Sequence, residues 1–244
     1  MNAIIVQARM GSKRLKDKTL LPLAGKPMIY RIIERLKRVK NVKKIILAIP
    51  EGKKNDKISE IFKNENIEIF RGPENNLVKR YYLAAKKYNL KNIIRYPGDN
   101  CLPEPKEIDR IINFYESFSK PFFASNLSNI LKNGYPDGIG AEIFGFNFLD
   151  DLMNKKLNKS QKEHPHTNFF DYEKDKPINP KWCKVRTIKC PKKIKRPEIK
   201  LDVNTLSDYN YISNIYNNLY FKNPNFNTGN IIKFLDKENE KIKK

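Results

Sequence analysis

Arg9, Lys13, Arg14 and Lys18 place four cations within ten residues, directly after the apolar run Ala3-Ile4-Ile5-Val6. Gln7, Ala8, Gly11 and Ser12 stand among them. A loop of this composition suits phosphate. Arginine holds phosphate oxygens in a bidentate fork, lysine acts as a mobile point charge, and glycine lets the backbone come close to an anion. The loop lacks the Gly-Lys-Ser/Thr ending of a P-loop, and Gly11 stands alone, so the glycine spacing of a dinucleotide fingerprint is missing too. Residue chemistry by itself leaves two readings, a polyphosphate site and a plain solvated turn.

A second chemistry-bearing position lies far along the chain. Asn92-Ile93-Ile94-Arg95-Tyr96 reads as a buried strand that stops at Pro97-Gly98-Asp99, so Asp99 emerges where a strand ends. A carboxylate there is a hard oxygen ligand of the kind Mg2+ takes one or two at a time, with water and phosphate oxygens completing its shell. The alternative is a turn aspartate that caps the next loop. Four cations and a carboxylate at one sheet edge favour a metal-triphosphate site.

The elements that must bring these groups together follow from periodicity. Met28 to Val39 repeats apolar positions at helical spacing after Pro27, and Lys44 to Ile49 reads as a buried strand. Lys57 to Asn64 is a short helix, Ile67 to Phe70 a strand, Leu77 to Tyr88 a helix, and Glu107 to Phe118 another helix. Alternating strands and helices are the signature of parallel crossover units. Phe122 to Ser125, Ala141 to Phe146 and Ile199 to Val203 read as later strands, and Ser207 to Tyr220 as a helix. Lys155 to Tyr172 and Lys174 to Pro180 are polar and proline-containing, which predicts loops or an arm outside the sheet, and the charge run Lys237 to Lys244 predicts a frayed tail. The expected architecture is one domain over residues 1–244, a three-layer α/β/α sandwich with a mostly parallel sheet. In such sheets ligands bind at the carboxyl ends of the strands, where strand order reverses.

Composition narrows the function classes. A net charge of +22 would ordinarily put nucleic acid first among partners. The lysines, however, are spread along the chain among abundant Asn and Ile, and no recognition helix, zinc finger or aromatic RNA-binding signature accompanies them. Nucleic acid is therefore not the expected partner, although a basic protein whose first loop grips backbone phosphate stays as an alternative class. Cys101, Cys183 and Cys190 fit neither a disulfide framework nor a zinc site. With no apolar stretch of about eighteen residues and no signal-peptide pattern, the expectation is a cytoplasmic protein without membrane contact.

The opening Gln7-Ala8-Arg9-x-Gly11-Ser12-x-Arg14-Leu15, followed by Lys18 and Leu21-Pro22-Leu23-Ala24-Gly25-Lys26-Pro27, resembles that of the cytidylyltransferases that make CMP-activated sugars. It is most similar to the spore-coat-polysaccharide type, relatives of the CMP-sialate and CMP-Kdo synthetases. Arg95 to Leu102 resembles the family segment Arg-x-x-Gly-Asp-x-Pro-Leu, whose aspartate binds the metal, with Cys101 in place of proline. Asp202-Val203-Asn204-Thr205 with Asp208 resembles Asp-x-Asp-Thr-x-x-Asp, with Asn204 for the second acid. Phe70-Arg71-Gly72 and the following helix resemble the family's Arg-Gly segment. There Arg71 is the candidate to reach base or phosphates, with Arg95 comparable, whereas Lys79 and Arg80 read as solvated. Tyr135-Pro136-Asp137-Gly138 resembles a turn bordering the acceptor pocket. Lys162-Glu163-His164 resembles an Arg-Glu-His segment near the acceptor, and Pro165-His166 departs from the usual Val-Thr after it.

The resemblance implies a fold of the nucleotide-diphospho-sugar transferase type and a CTP-dependent nucleotidyltransferase that releases pyrophosphate. The acceptor would be an acidic sugar or a phosphorylated compound, in surface polysaccharide or glycoconjugate biosynthesis, and the cofactor Mg2+. Arg9, Arg14, Lys18 and Asp99 would be catalytic, and Gln7, Ala8, Gly11, Ser12, Arg71 and Arg95 would face the nucleotide. Asp99 and Asp202 would hold the metal, while Asp137, Glu163 and His164 would meet the acceptor. A homodimer, through the arm around residues 155–180, is the expected assembly. Asn204 also leaves open a catalytically weakened relative acting as a scaffold.

Overall fold

A computed structural model describes residues 1–12 and 14–242. Lys13, one of the loop cations, and the last two residues of the predicted tail lie outside that range. β1 (Asn2–Gln7) runs through the basic loop to α1 (Met28–Leu36). β2 (Lys44–Pro50), α2 (Asp56–Ile61), β3 (Glu68–Gly72), α3 (Leu77–Lys87) and β4 (Asn92–Pro97) complete the first half. α4 (Pro105–Glu116), β5 (Phe123–Ser125), β6 (Glu142–Gly145), α5 (Phe146–Met153) and α6 (Lys159–Glu163) follow. β7 (Val185–Arg186), α7 (Leu206–Leu219) and α8 (Thr228–Ile242) close the chain.

Seven strands form one sheet in the order β7-β5-β6-β4-β1-β2-β3. Only β6 is antiparallel to its neighbours, β4 and β5. The chain moves outward from β1 to β2 and β3 and then returns to the other side of β1 for β4, so strand order reverses between β1 and β4. Ile4 pairs with Ile45 on one side and Ile94 on the other, and the last residue of β1, Gln7, lies beside Pro97.

Alternation along these strands divides the core in two, because successive side chains point to opposite faces. Ile4, Val6, Ile94 and Tyr96 meet α1, α4, α7 and α8 on one face. Ala3, Ile5, Ile93, Phe123 and Phe144 meet α3 and α5 on the other. The three-layer expectation and the mostly parallel sheet match this arrangement.

Three segments differ from the sequence expectation. Ile199 to Val203 is not a sheet strand: it crosses the strand ends and makes only the single bridges Asp137 to Lys200 and Asn100 to Asp202. The tail is helical through Ile242, anchored by buried Ile231, Ile232 and Leu235 and by Arg196, whose Nη1 lies 2.6 Å from Asp236. The polar segment after α5 does lie outside the sheet, but its aromatic residues seal the α3 face. Phe169 stacks on Phe123, Phe144 and Trp182 at centroid distances of 4.8, 5.1 and 5.4 Å. These contacts are all made within one chain. No described helix is long and apolar enough to cross a membrane.

Because Phe169 is 1% exposed at the centre of this aromatic cluster, Phe169→Ala should cost about 3–5 kcal/mol of unfolding free energy. Urea denaturation measures it, and a loss under about 1 kcal/mol would show that the segment is not part of the core.

Candidate active site

The site is built where strand order reverses. β1 and β4 end side by side, and the turn after β4 passes so close to β1 that a Cβ on Gly98 would lie 2.3 Å from the Gln7 carbonyl oxygen. Only glycine fits there, and the next residue, Asp99, is thereby presented at the edge of the sheet. Tyrosine hydroxyls beneath fix the turn. Tyr96 Oη lies 3.0 and 2.8 Å from the carbonyl oxygens of Asn100 and Gly138, and Tyr216 Oη donates to Cys101 O at 2.8 Å. Cys101, 0% exposed, sits in the core, and burial pushes its thiol well above the usual range.

The basic loop arrives at the same place. Lys18 Nζ donates to Asp99 Oδ2 at 2.9 Å and to Val203 O at 2.8 Å. Arg14 Nη2 donates to Asn204 Oδ1 at 2.7 Å, and Asn204 in turn donates through Nδ2 to Asp202. The Asp99 and Asp202 segments are tied through their main chains, with Val203 N donating to Asp99 O at 2.9 Å. Two clamps hold the loop. Buried Asn55 accepts from Met10 N at 3.0 Å, and Thr19 Oγ1 donates to Arg9 O at 3.0 Å. Gly11 adopts φ +80° with open space where a side chain would project, so its backbone is accessible to an anion.

Carboxylates crowd the opposite wall. Burial raises Asp202, and the charge of Asp99 adds to the shift. Burial, followed by the charge of Asp202, pushes Asp137 up to about 6. Among the described residues no three His, Cys, Asp or Glu side chains are grouped to hold a metal ion. The donor set that the chain does bring together is the pair Asp99 and Asp202, two hard oxygen ligands of the kind that Mg2+ would take alongside water and phosphate oxygens. Asn204 Oδ1 already accepts from Arg14, so the amide serves as a bridge between the Arg14 cation and the Asp202 carboxylate.

A family model described as cytidylyltransferase matches residues 3–227. The chain belongs to the cytidylyltransferase family. It is 25% identical over 216 residues to the spore coat polysaccharide biosynthesis protein SpsF of Bacillus subtilis, covering 87% of this chain and 85% of that protein. It is 32% identical over 117 residues to a 3-deoxy-manno-octulosonate cytidylyltransferase of Anaeromyxobacter, covering 47% of each. A cytidylyltransferase structure from Leptospira borgpetersenii superposes with a TM-score of 0.85 at 26% identity, covering 98% of this chain and 95% of that one. The protein is accordingly a CTP-dependent nucleotidyltransferase.

Several side chains of this cytidylyltransferase lie elsewhere than the sequence suggests. Arg71 Nη2 turns away to α2, 2.6 Å from Asp56 Oδ1 and 2.7 Å from Ser59 Oγ. Arg95 is buried and paired with Glu142, so its charge does not face a nucleotide. Arg80 is 3% exposed rather than solvated and donates to the carbonyls of Pro73 and Glu74. Glu163 reaches the basic loop, 3.0 Å from Arg9 Nη2, and that hydrogen bond holds its carboxyl below the usual range. His164 is exposed beside it, Ala8 is buried, and Ser12 is partly buried. Sequence reasoning missed Asn55, Tyr81, Glu142, Tyr172 and His166. Of these only His166 carried a signal, as a second histidine next to His164 in the polar arm.

Asp137 gives a pH test with a defined sign. Its folded-state value of about 6 stands above the ordinary 3.8. The folded state therefore holds its proton more tightly, and the stability this contributes is lost as pH rises from about 4 through 6. In metal-free buffer at about pH 7.5, Asp137→Asn should raise the melting temperature by a few degrees, with the gain shrinking as pH falls toward about 4. A lower melting temperature at the higher pH would show that the carboxylate is not desolvated.

Proposed function

We propose that this cytidylyltransferase transfers CMP from CTP to an acidic sugar or phosphorylated acceptor, with Mg2+ at Asp99 and Asp202, in surface polysaccharide or glycoconjugate assembly. The observation that carries the reading is the 2.9 Å contact between Lys18 Nζ and Asp99 Oδ2. It supports the reading because it brings the cationic loop to the carboxylate proposed to hold the metal, at the sheet edge where a polyphosphate would meet both. The acceptor class draws support from relatives whose names concern spore coat polysaccharide and 3-deoxy-manno-octulosonate.

In the proposed reaction an acceptor oxygen, its proton given up to solvent, attacks the α-phosphorus of CTP in line as an oxyanion. The new O–Pα bond forms as the bond from Pα to the bridging oxygen breaks, and pyrophosphate leaves with the negative charge. Arg9 and Arg14 are exposed enough to exchange their present partners for phosphate oxygens, while Lys18, 14% exposed at its side chain, supplies a fixed charge. Bound Mg2+ would supply further neutralisation of phosphate oxygens. Gly11 offers backbone N–H without a side chain in the way, and the buried tyrosines hold Asp99 still. The rate then comes from electrostatic preorganisation and orientation and needs no covalent nucleophile.

The test is pyrophosphate release in Mg2+ over four nucleoside triphosphates and a panel of sugar acids and phosphorylated alcohols. CTP should be the productive nucleotide, and chelation should stop release. Asp99→Asn should lower turnover by about 10²–10³ with the fold retained, and Arg14→Ala should raise the CTP concentration required. Release by Asp99→Asn at the wild-type rate would remove the metal assignment.

A further inference from the structure

At the carboxyl edge of the sheet, the face that carries α3 ends in polar side chains instead of more aromatic core. Register sets Arg95 beside Glu142 across β4 and β6, and Glu142 beside Ser125 across β6 and β5. Arg95 and Glu142 are 3% and 1% exposed. Burial alone would lower the first and raise the second, but their mutual attraction outweighs it, so the guanidinium is held above and the carboxyl below its ordinary value. Tyr172 Oη also donates to Glu142 Oε1, at 2.6 Å. The charge of Arg95 is thus matched inside the protein and does not serve an anionic ligand.

Two groups at the rim of this layer keep free donors. Gln7 Oε1 accepts from Arg95 Nε at 3.2 Å and from Tyr81 Oη at 2.9 Å. A guanidinium has only donors to offer, so the amide orientation is fixed, with oxygen toward Arg95 and Nε2 away from it. Among the described residues, Gln7 Nε2 has no acceptor. His166 packs edge-on against Tyr172, ring centroids 5.1 Å apart, and its Nδ1 is buried without a partner. An orphaned buried N–H is rarer than an under-satisfied acceptor, which assigns the proton of the neutral ring to Nε2. Burial, and then the charge of Arg95, take His166 down to about 4, so the ring is neutral near pH 7. The Asp99 charge also acts on this ring, and His166 stands three residues after Glu163, the partner of Arg9. Through Tyr172, Glu142 and Arg95 the ring is joined by successive contacts to Gln7 at the end of β1.

Resting on the acceptor reading above, we propose that Gln7 and His166 bind an uncharged oxygen of the acceptor, a sugar hydroxyl or an acylamino carbonyl, with Arg95 as the residue that positions Gln7. Selectivity at this corner then comes from two neutral donors. One of them, His166, stands where the resembling family segment has threonine.

The experiment uses the full chain with saturating CTP and Mg2+ and two probe acceptors. N-acetylneuraminate carries hydroxyls and an acylamino carbonyl, and 3-deoxy-manno-octulosonate carries hydroxyls. CTP binding in Mg2+ without acceptor is followed in parallel by calorimetry. His166→Phe should lower kcat/KM for the better probe about tenfold, mainly through KM, as expected for one neutral hydrogen bond. His166→Gln, which restores a donor, should recover to within about threefold, and CTP should bind both variants as it binds the wild type. An unchanged acceptor KM in His166→Phe, or CTP binding weakened by the same factor, overturns the proposal. So does a wild-type protein that binds CTP and turns over neither probe, whereas failure of the wild type to bind CTP sinks the nucleotidyltransferase reading itself. Should His166→Phe fail to fold, the ¹⁵N resonances of the His166 ring in the wild type decide. The proton should sit on Nε2 and the signal should move when a probe is added; a proton on Nδ1, or no movement, overturns the assignment.

Discussion

The close approach of the chain after β1 to the chain after β4 is the constraint on which the site depends. Gln7 and Pro97 are register partners, and the turn that follows has room only for Gly98 against the Gln7 carbonyl. Were these two ends spread apart, Lys18 could not reach Asp99, and cations and carboxylates would face separate regions of solvent. The pairings themselves contribute little net stability, since partly exposed ion pairs are typically worth about 0–1 kcal/mol. Their role is organisational: they hold the cationic loop against Asp99 at the edge where β1 and β4 end.

Overall charge and local charge tell different stories. The chain carries +22, yet Asp99, Asp137, Asp202 and Glu142 gather at the sheet edge where substrate is expected. Desolvation and mutual repulsion lift Asp137 and Asp202 above their ordinary values, a cost the fold bears at this edge. Sites are commonly the places where stability is given up in this way. The surplus lysines lie mainly on solvated surfaces and say more about long-range attraction of anions than about chemistry.

The parts of this arrangement legible in the sequence were those carried by local pattern. Apolar runs with helical spacing between them identified the parallel sheet, and the abrupt passage from Val6 into Gln7-Ala8-Arg9 and from Tyr96 into Pro97-Gly98-Asp99 located the two loops. Long side chains at strand ends were less readable. Arg95 stands two residues after Ile93 and so points to the same α3 face, where its partner Glu142 lies 47 residues away. Nothing local announces that pairing. Arg71 likewise finds Asp56 and Ser59 at the start of α2, a neighbour fixed by packing and not by sequence spacing. Phe169 and Phe170 were hidden in a polar segment whose average composition reads as loop, and the charge run at the end concealed a helix anchored several residues earlier.

Burial then sorts the cations into two groups. Arg95 and Arg80 are almost wholly enclosed, and each makes several contacts to groups that would be left unpaired if it moved. Freeing either one would cost several kcal/mol by the usual penalty for an uncompensated buried charge. Arg9 and Glu163 are 47% and 42% exposed at their side chains, so exchange of that contact for a phosphate oxygen replaces one solvated, charge-assisted hydrogen bond with another at small cost. Arg14 has the same freedom toward Asn204, whose neutral amide competes with phosphate less strongly than a carboxylate would. An asparagine at that position therefore weakens the negative wall while leaving Arg14 easier to recruit to phosphate.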